Sequence, residues 1–553
     1  MYLRKINKEK NKVNKPLMIS REMENFLRER ADYLKRKKEP VLAPTIHVDE
    51  VSSKVAVFYE KIRKVVDWKE EHLMRRIAIE RVLKRALFLK RNSFSNVGEE
   101  TVLNLIRGGY FPNDSIKKSI IPRVQRLLEK YKYILENAPE PPEGVTKPQF
   151  QDDILKIAAC ETEEILDPLS YRKADILIKL MEGIMSRRVR VSETAKRISN
   201  LTEEDKKILI YIAVCQSLFK LDKPIITYNL IKRYYPKWFS WEEESIKEIT
   251  ENIHRLLGKI ESYFSHLLAD RFYDVFELYD TPFLLLGDVF LNEEEELPDD
   301  ILDPNVMRKE IFAAYKKRLS TLRKRLFRSA FYSTLSVFLT NVFSLYLVEI
   351  PFTKLVTGKF NLVSALCDIF VPTGLMFFLV STIRLPPKNN FDLVMEELEN
   401  SIYQKEKIKP IDIEYYPPKG PITKTIFGFI YALGAVISLA IIIGFLYFIH
   451  FPTVLSYAIF VIFTSLIFFT GSLIRKRARE LHMTKTKEGL WTFLIYPLIL
   501  PIIHFGKWLA ARWRKYNVVG IFFTILIDSP FVLFVEFLER WRYFLKEKQE
   551  EVH

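Results

Sequence analysis

Cysteine is scarce in this chain. Only Cys160, Cys215 and Cys367 occur in 553 residues, no two are close in sequence, and no CxxC is present. That argues against a disulfide framework and a cysteine-ligated zinc site, and it suits a reducing, cytosolic setting. Phosphate-cradling glycine loops are missing as well: neither GxxxxGK nor GxGxxG occurs. HExxH and GxSxG are absent, and the eight histidines show no nucleophile–base pattern. An E-x-x-H, Glu251 with His254, falls on a helical segment. A di-iron bundle needs two such pairs and two further Glu, so no metal is expected. No catalytic activity and no cofactor are expected on these grounds. Met1 to Lys15 is basic and lacks the apolar run of a signal peptide, so no cleavage is expected.

Charge is missing from one long stretch. Between Lys424 and Arg475 there is no Asp, Glu, Lys or Arg. Its halves, Thr425 to Ile449 and Val454 to Ile474, each match the ~20 apolar residues that cross a bilayer core as a helix. A soluble helix of that length carries charge on its outer face. This pattern predicts a transmembrane hairpin with a His450-Phe451-Pro452-Thr453 turn. Two more spans precede it, Ser329 to Val348 and about Phe360 to Ile383, joined by a short loop from Glu349 to Lys359. A polar loop over 384–424 holds a surface helix, Asp392 to Lys405. The expected fold is all-α: an N-terminal cytoplasmic helical region, then a bundle of about four transmembrane helices with re-entrant or interfacial segments over 488–553. In that last region 490–505 and 518–535 read as hairpins that do not cross, because Lys507, Arg512, Arg514 and Lys515 lie between them.

What the chain has in excess is positive charge, with a formal net of +16. Its position identifies the partner. A helix over 305–328 carries Lys316, Lys317, Arg318, Arg323, Lys324, Arg325 and Arg328 and runs straight into the first apolar segment. Together with Arg475, Lys476, Arg477 and Arg479 these place that side in the cytoplasm, with both termini inside. Anionic lipid headgroups are the expected contact for the seven basic residues of the helix. Nucleic acid is not expected: residues 203–269 permit a helix-turn-helix, but Glu242, Glu243 and Glu244 at the would-be recognition end repel phosphate.

The preceding residues read as a basic arm and helix (1–45), a helical lobe (46–138) and a second lobe (150–300). The divider is a stretch with Pro139, Pro141, Pro142 and Pro148. Val55, Phe58, Ile62 and Val65 form one apolar stripe in the first lobe. In the second lobe Thr202 with Asp205, and Ser240 with Glu243, have the spacing of capping boxes. Ile208 to Phe219 is uncharged but too short to cross a bilayer, so it is expected to form the lobe's buried centre. Ile246, Ile249, Ile253, Leu256, Ile260, Phe264 and Leu267 repeat at helical spacing. Glu293 to Glu296 reads as a solvated linker, since a calcium loop needs alternating oxygen ligands and a turn glycine.

The candidate functional residues are the polar ones inside apolar segments, which are costly there and usually paired or functional. Asp368 and its expected partner Asn341 are two; Asp528, before Ser529 and Pro530, is the third, with helix capping as its simplest role. With no catalytic motif and a large helical region, the leading expectation is a membrane-anchored scaffold or adaptor that binds another protein. The alternative is a transporter or channel component with its polar site around Asp368.

Overall fold

The computed structural model describes residues 18–38, 43–48, 71–89, 94, 96–292, 297–356, 362–383, 385–387, 389–403, 410–415, 420–451, 453–479, 481–483, 490–516, 537 and 541. The expected stripe at Val55 to Val65, the Glu293 to Glu296 linker, the 518–535 stretch and Asp528 lie outside the described residues. The remainder is helical apart from one short parallel strand pair. Among the described residues twelve helices come first: α1 (Arg21–Lys38), α2 (Glu71–Leu89), α3 (Val97–Arg107), α4 (Ile121–Asn137), α5 (Lys147–Leu166), α6 (Pro168–Arg188), α7 (Glu193–Ser199), α8 (Glu203–Phe219), α9 (Lys223–Tyr234), α10 (Glu243–Phe264), α11 (Ala269–Phe276) and α12 (Asp280–Phe290).

These helices share one hydrophobic core, which draws on both sides of the proline-rich stretch after α4. The uncharged part of α8 sits at its centre, with Ile208 to Cys215 buried without a break. A satisfied ionic knot ties α4 to α5. Lys130 Nζ donates to Glu161 Oε1 and Oε2 at 2.8 and 2.9 Å. Tyr131 Oη and Trp238 Nε1 donate to the same carboxylate at 2.6 and 3.1 Å. All four residues are buried, and full pairing is the condition under which buried ions are tolerated. Thr202 and Asp205 form the expected capping box of α8. The Ser240–Glu243 box does not form. Ser240 closes the preceding 3-10 turn, Pro236–Phe239, and α10 opens after Glu242 instead.

The apolar helices follow. α13 (Pro304–Ser344) continues through a π-helical turn, Leu345–Glu349, into α14 (Ile350–Val356). The three make one rod of 53 residues, about 80 Å long at ~1.5 Å per residue. The loop expected from Glu349 is therefore helical as far as Val356, because the π turn lets the helix continue without a break. Then come α15 (Leu362–Ser381), α16 (Asn390–Ile402), α17 (Pro421–Phe448), α18 (Val454–Ala478) and α19 (Leu490–Tyr516). Among the described residues four helices are long and apolar enough to cross a membrane: the rod, α15, α17 and α18 through Lys476.

Three segments of this half return to the helical domain. The lower rod contributes Met307, Ile311 and Tyr315 to the domain core. α16, expected on the surface, is also part of that core through Val394, Met395, Leu398 and Ile402. Its amphipathic pattern is satisfied by protein instead of an interface. Beyond it, strand β2 (Ile411–Ile413) pairs in parallel with β1 (Val189–Val191). Asn390, fully buried, closes the joint: Nδ2 donates to the Leu481 carbonyl at 2.7 Å and lies 3.3 Å from Tyr315 Oη, while Oδ1 accepts from the Met483 amide at 3.0 Å. The domain ends of the rod, of α15–α16 and of α18 are thus held together.

At the opposite end His450 takes a left-handed φ of 59°, and the Phe451 amide donates to the Leu446 carbonyl at 3.1 Å. That is the helix-ending geometry in which one residue turns left-handed. α17 and α18, expected to pack as a hairpin, barely touch; α19 packs against both of them. Small residues make room for it. A Cβ on Gly434 would stand 2.3 Å from the Pro497 carbonyl oxygen, and one on Gly506 only 2.1 Å from that of Ser465. Ser438 Oγ lies 2.6 Å from the Leu498 carbonyl oxygen. Glycine and serine at such contacts let helix backbones approach closely in apolar surroundings. The hairpin expected over 490–505 is instead part of one helix running through Pro497 and Pro501.

Two outcomes follow from the domain's buried charges. Arg188 and Glu397 pair in the core, with Nη2 3.2 Å from Oε2. Glu397→Ala leaves a buried cation without its carboxylate and is expected to destabilise the domain by about 3–5 kcal/mol, read as a lowered thermal midpoint. Burial also pushes the carboxyls of Glu163 and Asp280 up to about 7. A carboxyl raised above its unfolded value binds protons in the folded state first, so stability falls as pH rises from about 4 to 7 and is level above that. The slope is at most about 1.4 kcal/mol per pH unit for each group. Denaturation midpoints of Glu163→Gln with Asp280→Asn are expected to lose that slope.

Candidate functional site

The polar site in the apolar half is built on the rod. Asn341, Leu345, Glu349 and Thr353 recur every four residues, and all four are buried. In a regular α-helix a residue eight positions on lies about 80° off the starting face. The π turn absorbs one extra residue. Glu349 is thereby brought back to within about 20° of the Asn341 face, toward α15 rather than away from it.

α15 supplies the other half. Asp368 lies one turn and a half into that helix and is 1% exposed. Asn341 Nδ2 donates to the Asp368 backbone carbonyl at 3.2 Å. The expected partnership of Asn341 and Asp368 therefore runs through the backbone, and the carboxylate of Asp368 is left to meet something else. What it meets is Glu349: the two carboxyl groups face each other within hydrogen-bonding range, with Ser456 of α18 beside Glu349. Ser456 is itself held by Thr453, whose Oγ1 caps the start of α18 by accepting from the Ser456 amide at 3.2 Å.

Among the described residues no basic side chain acts on either carboxyl group. Both oxygens of Asp368, one of Glu349 and the Oδ1 of fully buried Asn341 accept no hydrogen bond. Lys354, the nearest basic residue along the rod, is exposed. The site lies toward the end of the bundle away from the helical domain, near the His450 turn. There Leu446, Phe451 and Phe460 form a small apolar cluster with Cys367 and Val371 packed on it. Among the described residues no three His, Cys, Asp or Glu gather as a metal-binding group. His254 of the E-x-x-H contacts the Pro139 carbonyl oxygen at 2.8 Å.

Of the seven basic residues expected to meet lipid, Arg318 forms a bidentate pair with Asp288 of α12, Nη2 to Oδ1 at 2.8 Å. That charge joins the rod to the domain. Lys316, Lys317, Arg323, Lys324, Arg325 and Arg328 are exposed, with Lys316 lying 4.7 Å over the Phe312 ring. Arg475 and Lys476 of α18 are exposed too, near the same joint.

Glu349 is the residue that sequence reading missed. It stands at the end of an apolar run, where a carboxylate reads as the first residue of a loop. The available signal was the four-residue spacing of Asn341, Leu345, Glu349 and Thr353, which continues the helix past the charge. The chain matches no family model, no curated protein and no solved structure.

The π turn's role is open to a direct check. In a Cys367→Ser background, Glu349→Cys with Asp368→Cys is expected to cross-link readily under mild oxidation. Removing one residue of the turn, Tyr346, rotates position 349 by about 100° and is expected to abolish the cross-link, scored by gel mobility after a protease cut between the helices.

Proposed function

We propose that this chain is a multi-pass membrane protein and a cation-handling component of a transporter or channel, with its site at Glu349, Asp368 and Asn341. One observation carries the reading: two buried carboxyl groups face each other among apolar helices, with no basic side chain among the described residues to neutralise them. On insertion scales an acidic residue costs ~2.5–3.5 kcal/mol at the centre of a spanning helix and less toward its end, where this pair lies. A protein-binding platform has no use for that cost, which is why cation handling ranks ahead of a scaffold role. The helical domain then serves as a rigid cytoplasmic base. The exposed basic residues of the rod and of α18 sit near the joint with that domain, where the positive-inside rule and anionic headgroups favour them.

The test is cation flux into liposomes reconstituted with the full-length protein, driven by an imposed membrane potential. Wild-type protein is expected to conduct, and Asp368→Asn to reduce the rate at least tenfold while still extracting as a folded, monodisperse species. Absence of flux in the wild type, or equal flux in the variant, sinks the transport reading.

A further inference from the structure

Two kinds of cation fit an acidic pair, and the geometry separates them. A sodium or calcium ion is held by about six or more oxygens at 2.3 Å or beyond, with the ion between the ligands. Here the carboxyl groups of Glu349 and Asp368 approach within hydrogen-bonding range of each other, so the space between them is already closed. The neutral side-chain oxygens in contact with them are few: the Ser456 hydroxyl lies beside Glu349 and Asn341 Oδ1 is at hand, while the buried hydroxyls of Thr353 and Ser364 lie about a turn away along their helices. The rod and α15 are helical at this level, and the carbonyl that Pro372 leaves without a helix bond, that of Asp368, already accepts from Asn341 Nδ2 at 3.2 Å.

Two carboxylates cannot hydrogen-bond to each other, since both offer only acceptors. A carboxylic acid facing a carboxylate can, and the pair then holds one negative charge instead of two. Among the described residues, the buried polar groups of the neighbouring elements offer no other compensation. The rod offers Asn341 and Thr353, α18 offers Ser456, and α15 offers Ser364 and the partly buried Cys367; none of these is cationic. We infer that the ligand of this site is a proton shared between Glu349 and Asp368, donated by one carboxyl to the other across the contact of the rod with α15. The fully buried Asn341, whose Oδ1 has no donor, is the neutral group placed to accept from the acid form when the pair opens. This rests on the site reading above, and it narrows the cation class to H+.

Infrared difference spectroscopy of the full-length protein in lipid vesicles tests it without requiring transport. A protonated carboxyl C=O band is expected at pH 7 in the wild type, with a downshift in D2O. Glu349→Gln and Asp368→Asn are each expected to shift the band, because the surviving carboxyl loses its partner, and the double variant is expected to lack it. Millimolar Na+ or Ca2+ should leave it unchanged. A wild-type spectrum without the band, a band that survives in the double variant, or one removed by either metal ion overturns the inference. The band without flux would retain the shared proton and discard transport; flux without the band would do the reverse.

Discussion

Continuity of one backbone organises this protein. From Pro304 to Val356 the chain stays helical, so a single rod has its lower turns in the core of the helical domain and its upper turns against α15. A helix this long transmits position because every turn is closed by its own hydrogen bonds. The domain can therefore set where Asn341 and Glu349 stand. Asn390, reaching Tyr315 on the rod and the backbone at Leu481 and Met483, holds the returning chain at the same level. Arg318 with Asp288 adds a charged tie on the rod itself.

Against that fixed base the apolar helices pack by a different logic. The domain core is assembled from large aliphatic and aromatic side chains, whereas the contacts of α19 with α17 and α18 rely on Gly434, Ser438 and Gly506. In apolar surroundings there is no hydrophobic gain from hiding one leucine behind another, and close backbone approach with an occasional hydroxyl contact takes its place. The one departure from this economy is the carboxyl pair. It sits where the rod changes its helical repeat, and π turns of this kind concentrate at functional sites. Placement of Glu349 and irregularity of the helix are one structural event.

Much of the fold was legible in the residues. The four apolar helices could be read from their length and scarcity of charge, two of them from the charge-free stretch between Lys424 and Arg475. The buried centre of the domain could be read from Ile208 to Phe219, too short to span a bilayer and too apolar to face water. Asp368 and Asn341 stood out as polar residues in apolar helices. The amphipathic 390–402 segment misled, because one apolar face fits a lipid surface and a protein core equally well. Its distant partners, α12, the lower rod and the Arg188 side chain, decide between them, and Arg188 lies 209 positions before Glu397.

Composition and periodicity thus determined which segments are helical and which of them are apolar enough for a membrane, since both follow from local patterns of charge and hydropathy. Tertiary structure alone decided that the 390–402 helix belongs to the domain, that α19 comes between α17 and α18, and that Glu349 meets Asp368. The physical reason is common to all three. Each depends on which faces of separate helices come together, and for Glu349 that face was set by one extra residue in a single turn, a change in rotation that leaves the apolar pattern of the sequence unaltered.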